Sequence, residues 1–295
     1  MNKIHVAVII PTFNGRKLLE KHLPNVLSSL RNGDELLIID DASQDETSTW
    51  LRYGFSLREQ LKPNDADGHG PYELYQGIYG SSSKKIGITL IVNDQNLRFA
   101  ASVNRAVRHT TKQLILLLNS DVSPKESTIS ELVKSYSQQA QPIFGIGCLE
   151  YEGSDESAEK AGKNMLWFQN GYFMHQKASD FTSGETAWVS GGSGLFDRER
   201  WLELGGFDER FAPAYWEDID LSYRAKQKGW QVLFESKAIV FHKHESTHKQ
   251  VFSSKDMENI SWQHAAYFVR KHGNVWQKIA HVLWQPYWFL KRLKS

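Results

Sequence analysis

A chain of 295 residues has room for one large α/β domain, or for a domain with a small appendage, and a core of that size needs no disulfide or metal staple. Its formal net charge of +1 argues against a general nucleic-acid binder, which would carry a basic excess on one face. The single cysteine, Cys148 within "IFGIGCLE", excludes an internal disulfide, fits a reducing compartment and has apolar neighbours that predict burial.

In chain order, the first apolar segment is Val6 to Ile10, too short before Pro11 for a signal-peptide core, so it reads as a strand. Glu35 to Ile39, Ile88 to Val92 and Leu114 to Leu118 follow with the same near-continuous apolarity, expected of strands covered on both faces of a parallel sheet. Between them, "RKLLEKHLPNVLSSL" and "AASVNRAVRHT" carry apolar residues at spacings of three and four and predict helices. The alternation defines an α/β class with a mostly parallel central sheet flanked by helices. From Tyr53 to Lys85 the chain is polar and rich in Gly, Ser and Pro without sustained period, which predicts a long loop or small insertion.

In the second half, Gly191, Gly192 and Gly194 permit a tight backbone path, and "RERWLELGG" predicts a short helix closed by glycine. Glu217 and Asp218 stand at the start of a helix, "IDLSYRAKQKG", ended by Gly229; "QVLFESKAIVFHKH" then reads as a strand pair ending in His242 and His244. The tail "NVWQKIAHVLWQPYWFLKRLKS" mixes aromatics with Lys278, Lys291, Arg292 and Lys294. That mixture suits either a packed helix or an anionic membrane surface. No stretch reaches the roughly 18 apolar residues of a spanning helix. The expected location is cytoplasmic, peripheral at the inner face of the membrane through the tail.

Ligands of open α/β sheets bind beyond the carboxyl ends of the strands. Those ends carry Pro11, Thr12 and Asn14; Asp40 and Asp41; the stretch Asn93 to Arg98; and Asn119, Ser120 and Asp121. Such side chains can bind a base edge and ribose hydroxyls, and a carboxylate can hold a divalent cation against a diphosphate. The same residues also suit turns, with Asp40 and Asp41 as a turn pair and Ser43 as a helix cap. Neither the G-x-x-x-x-G-K-[ST] loop nor G-x-G-x-x-G follows the first strand, which disfavours kinase and dinucleotide readings.

"IIPTFNG", "IIDDASQDET", "NLRFAASVNRAV", "LLLNSDV" and "GGSGLFDRERWLELGGFDERFAPAYWEDIDLSYRAKQKGW…IVFH" stand in the order found in family-two glycosyltransferases. Over about residues 4 to 242 the chain resembles their rhamnosyltransferase-like branch. The resemblance implies a GT-A fold: a nucleotide-sugar-binding half over about 1–122, an acceptor-binding half carrying the base over 123–245, and a helical aromatic and basic tail over 246–295. It implies inverting transfer from a nucleotide-diphospho-sugar, dTDP-rhamnose first and UDP-sugars second, to a saccharide or lipid-linked acceptor in surface-polysaccharide synthesis.

By the same resemblance, Pro11, Thr12, Asn14, Asp40, Asp41, Arg98, Asn119, Ser120 and Asp121 line the donor. Asp218 is the general base and Glu217 its neighbour at the acceptor; beside them Gly191, Gly192 and Trp216 are read as acceptor contacts, Trp216 by stacking on a sugar face with a core role as its alternative. Asp121 and His242 hold a divalent cation, manganese or magnesium. The chain departs from the family's D-x-D motif at its first position, Asn119, leaving Asp121 as the charged member. Two rivals share parts of this pattern: a sugar nucleotidyltransferase, for which "PTFNGRK" lacks a triphosphate-gripping loop, and a non-catalytic nucleotide-sugar-binding scaffold, against which the intact Asp121 and Asp218 argue.

Overall fold

Strand β1 (Val6–Thr12) shows why its residues form a central strand. Alternate side chains Val6, Val8 and Ile10 enter one hydrophobic cluster, with Leu19, Leu23 and Val26 of helix α1 (Arg16–Ser29). Ala7 and Ile9 enter a second cluster, with Ala100, Val103 and Val107 of helix α3 (Arg98–Arg108) on the opposite face. A strand buried on both sides has no position left for a polar residue until it ends. The same division holds for β2 (Glu35–Asp40), β5 (Lys85–Asn93) and β6 (Leu114–Leu118). This computed structural model describes residues 4–61, 67–243 and 254–292.

The main sheet has a parallel centre in the order β6-β1-β2-β5. Helix α2 (Thr47–Gly54) follows β2, and β3 (Arg58–Glu59) and β4 (Tyr72–Gly80) extend the sheet beyond β5. After β6 come the short β7 (Val122–Pro124), α4 (Thr128–Ser137), β8 (Ile143–Tyr151) and β9 (Lys160–Ala161). A hairpin, β10 (Asn164–Gln169) and β11 (Tyr172–Lys177), stands apart from the main sheet, and β12 (Gly184–Glu185) pairs with its far edge. Strand β13 (Ser193–Asp197) inserts antiparallel between β6 and β8, and α5 (Arg198–Glu203), α6 (Glu217–Gln227) and β14 (Gln231–His242) follow. Because β13 runs against β6, its first residue Ser193 lies beside Leu118, the last residue of β6. The chain before β13 is thereby delivered to the carboxyl edge.

Helices α7 (Ser254–His272) and α8 (Val275–Arg292) complete the described chain. Ala265, Phe268 and Val269 share one cluster with Tyr172, Phe173, Trp216 and Ile219, so α7 is part of the same core as α6 and the β10–β11 hairpin. A buried polar knot reinforces the joint. Asp220 of α6 accepts from Arg224 Nε at 2.7 Å and lies 2.6 Å from Lys271 Nζ and 2.7 Å from His272 Nε2, both on α7.

Two sequence expectations are corrected. Among the described residues between Tyr53 and Lys85, β3 and β4 extend the sheet: β4 pairs antiparallel with β5 from Tyr72↔Asn93 to Gly80↔Lys85. The periodic signal is broken because β4, flanked on its outer side only by the two-residue β3, buries only Tyr72 and Tyr75 and exposes its glycine-containing end. The expected strand pair over "QVLFESKAIVFH" is one strand, β14, with register shifts between Gln231 and Val232 and between Glu235 and Ile239. The polar Glu235, Ser236 and Lys237 that resemble a turn form a bulge. His244, Lys294 and the expected boundary at 245/246 lie outside the described residues.

Leu116, fully buried in β6, tests the double-sided core: Leu116→Ala should cost about 2–5 kcal/mol. The expected outcome is a lower urea midpoint at unchanged m-value.

Candidate active site

At the carboxyl edge of β1 and β2, Thr12 is in register with Asp40, and Asp41 N–H donates to the Thr12 carbonyl at 2.9 Å. Thr12 Oγ1 and Asp40 Oδ2 are both buried and, among the described residues, without a hydrogen-bond partner, a desolvated donor and acceptor on adjacent strands. Each such group costs about 1–3 kcal/mol, which a polar ligand would relieve. Burial, opposed by the hydrogen bonds from Ser43, raises the Asp40 carboxyl to about 6. Gly15 keeps this corner open: a Cβ there would lie 1.9 Å from Thr12 Oγ1 and 3.9 Å from Ser120 Oγ. Pro11, half-buried in register with Ile39, lacks the N–H that would extend the ladder.

Asn14 adopts φ 49°, its N–H donates to Ser43 Oγ at 2.8 Å, and its Oδ1 accepts from Gln44 N–H at 2.7 Å. It stitches the β1–α1 loop to the β2–α2 loop. The expected nucleoside contact of Asp41 gives way to a positioning one. Asp41 Oδ1 accepts from Asn93 Nδ2 at 2.8 Å, Leu97 N at 2.8 Å and Ser102 Oγ at 2.7 Å, while Oδ2 accepts from Arg98 N at 2.8 Å. Three donors crowd Oδ1 and one meets Oδ2. They hold Arg98 at φ 70°, a left-handed conformation costing about 1–3 kcal/mol for a residue other than glycine. The Arg98 side chain itself is exposed.

At the end of β6, Val122 N–H donates to the Asn119 carbonyl at 3.1 Å, so Asn119, Ser120 and Asp121 form a turn as well as a polar cluster. The pairing of β7 with β14 places His242 opposite Val122, and His242 Nε2 lies 3.2 Å from Asp121 Oδ1. His242 Nδ1 faces Glu150 Oε2 at 3.4 Å, and Ser193 Oγ donates to Glu150 Oε1. Burial opposes a charge on His242, but Asp121 and Glu150 outweigh it and raise the imidazole to about 10.

Among the described residues no three His, Cys, Asp or Glu side chains form a metal cluster. The pair Asp121 and His242 would suit a shared site once a cation displaced the proton that joins them. Its oxygen and nitrogen stand at the spacing of two neighbouring ligands of one small cation, about 3 Å. Its histidine has a carboxylate on the other ring nitrogen, as metal-bound histidines do. A manganese or magnesium ion that also binds a diphosphate needs only one or two protein ligands.

Gly191 and Gly192 connect this corner to the acidic pair. Asn119 N–H donates to the Gly192 carbonyl at 2.9 Å, and a Cβ on Gly192 would lie 2.6 Å from Asn119 Nδ2. On the other side, Gly191 N–H donates to Asp218 Oδ2 at 3.3 Å, and Ile219 N–H to Asp218 Oδ1 at 2.8 Å. Burial raises Asp218, with those N–H groups opposing it; burial and then the Asp218 charge raise Glu217, whose Oε2 has no hydrogen-bond partner among the described residues. Burial and mutual repulsion disfavour two charges here, and the amide donors favour the one on Asp218.

Trp216 is a correction. Consecutive left-handed residues, Tyr215 at φ 76° and Trp216 at φ 78°, turn the indole inward, where it is 3% exposed and packs against Phe268 and His175. It cannot stack on an acceptor. Tyr215, 46% exposed, is the aromatic that meets solvent beside the acids. Sequence reading missed Tyr215, Glu150 and Ser193. The available signal for Glu150 was a lone charge in an otherwise apolar strand.

With this geometry in view, residues 3–257 match the model of the glycosyltransferase-like family 2, and the chain belongs to that family. It is similar to the O-antigen chain rhamnosyltransferase RfbN of Salmonella typhimurium, with 24% identity over 84% of this chain and 69% of that protein. The mannosyltransferase PcManGT of Pyrobaculum calidifontis, solved with GDP-Man and Mn2+, superposes with a TM-score of 0.56 at 16% identity, covering 96% of this chain and 74% of that one. S. aureus TarS 1-349 with UDP-GlcNAc gives 0.56 at 12% identity, covering 90% and 66%. For GalNAc-T7 with UDP, GalNAc and Mn2+ the TM-score is 0.54 at 14% identity. The alignment covers 82% of this chain, which spans only 44% of that protein. The fold is that of GT-A glycosyltransferases.

Stability measurements can test the Gly192 contact. Gly192→Ala should cost about 1–3 kcal/mol by overpacking, and less in an Asn119→Ala background. Equal costs in both backgrounds would remove the contact from the account.

Proposed function

We propose that the chain is an inverting glycosyltransferase that moves a sugar from a nucleotide-diphospho-sugar to a saccharide or lipid-linked acceptor. The observation that carries this reading is the glycine bridge: the Asn119–Asp121 turn and Asp218 lie on opposite sides of Gly191 and Gly192. Similarity to an O-antigen chain rhamnosyltransferase supports a dTDP-rhamnose donor and a polysaccharide product, with UDP-sugars as the second donor class.

In this mechanism Thr12, Asn14 and Asp40 bind the nucleoside, and Asn119 and Ser120 orient the diphosphate, with Arg98 supplying positive charge. A divalent cation, when held by Asp121 and His242, would neutralise charge on that diphosphate. Asp218, ionised, takes the proton of the acceptor hydroxyl. The hydroxyl oxygen then bonds to the anomeric carbon from the face opposite the diphosphate, whose oxygen leaves with the electron pair of the broken bond. Glu217, protonated, donates a hydrogen bond to the acceptor, and Tyr215 takes the stacking role expected of Trp216. Water exclusion strengthens each of these contacts.

Asp218→Asn should leave calorimetric nucleotide-diphosphate binding intact while transfer falls by about 10²–10⁴-fold. Normal transfer by this variant would remove Asp218 as base. Because Asp218 works deprotonated and is raised, wild-type kcat/KM should fall with decreasing pH along a limb lying above the ordinary carboxylate value of about 4. A limb at or below that value would contradict the assignment. Asp121→Ala should abolish the effect of Mn2+ on donor affinity, whereas Asn119→Asp should strengthen it, both read by calorimetry with and without metal.

A further inference from the structure

Helix α8 is packed on one side only. His281 and Trp288 are buried against the turn before β11, with His281 Nδ1 2.9 Å from the Gly171 carbonyl and Trp288 Nε1 donating to the Asn170 carbonyl at 2.7 Å. Opposite them, Val275, Trp276, Ile279, Val282, Leu283 and Leu290 are all exposed, Trp276 at 78%. At 3.6 residues per turn these six fall within an arc of about 120°, which the exposed Tyr287 and Phe289 widen to about 160°. Lys278 and Lys291, both exposed, lie just outside the two edges of that arc. Apolar faces this continuous on a protein surface mark an interaction site.

The chemistry selects the partner. Residues 259–295 contain no Asp or Glu, against Arg270, Lys271, Lys278, Lys291, Arg292 and Lys294. A second copy docked through the same face would set lysine edges against lysine edges with no acid to pair them. A transmembrane role is closed to α8: among the described residues no helix is long and apolar enough to cross a membrane. An apolar arc rimmed by lysines and rich in Trp, Tyr and Phe is the composition of a helix lying in the plane of a lipid–water interface. We infer that α8 seats this protein on an anionic lipid surface, its apolar arc among the acyl chains and Lys278 and Lys291 at the headgroups.

The test uses the full chain and does not depend on sugar transfer. Co-sedimentation with vesicles of phosphatidylglycerol and phosphatidylcholine should pellet the wild type, more strongly than with phosphatidylcholine alone and less strongly as salt rises. Ile279→Asp with Leu283→Asp should abolish pelleting, and Lys278→Glu with Lys291→Glu should lower partition into anionic vesicles by about tenfold or more. These side chains touch solvent, so circular-dichroism melts of the variants should match the wild type. Failure of the wild type to pellet, or unchanged pelleting of the Asp variant, overturns the inference. So does a wild-type dimer by sedimentation velocity that the Asp variant converts to monomer without any vesicle capture.

Discussion

Two glycines pass between an amide side chain and a carboxylate, and the rest of the site is arranged around that passage. Asn119 fills the space where a side chain on Gly192 would stand, while the amide of Gly191 points at Asp218. The contact exists because β13 runs antiparallel beside β6 and returns the chain to the edge where β1, β2 and β6 end. An all-parallel sheet would have carried this segment to the other edge. The antiparallel insertion therefore brings the edge where β1, β2 and β6 end together with Glu217 and Asp218 at the start of α6.

The electrostatics separate structural from reactive charges. Asp220 is met by Arg224, Lys271 and His272. Burial works against the charge on Asp208, but hydrogen bonds from Arg210, Lys271 and Tyr267 hold it well below the carboxylate range. These compensated acids bind α7 to the domain. Among the described residues Asp40, Glu217 and Asp218 meet no cationic partner and are raised, a state that is costly in a core and useful where protons or ligands are exchanged.

Much of this was legible in the sequence, for identifiable reasons. Strands β1, β2 and β6 announce themselves because burial on both faces permits only apolar residues, and their polar ends mark the ligand edge. The pairing of Asp121 with His242, set by the short β7 against the end of β14, follows a residue choice made from sequence. Antiparallel extensions were less legible: β4 is half-exposed and glycine-rich, and the bulge in β14 resembles a turn. Side-chain direction was hidden as well. Asp41 and Trp216 occupy positions where a ligand contact is reasonable, yet the hydrogen bonds of the 93–98 loop consume one, and two left-handed residues bury the other.

The most direct test of a nucleotide-diphosphate site at this edge is thermal unfolding of the full chain with dTDP, UDP, GDP and ADP, each with and without Mn2+. A ligand that binds only the folded state at a hundred times its Kd stabilises by about 2.7 kcal/mol. The account predicts a clear rise in Tm with dTDP or UDP that is larger when Mn2+ is present. No rise with any nucleoside diphosphate, or rises indifferent to Mn2+, would contradict it.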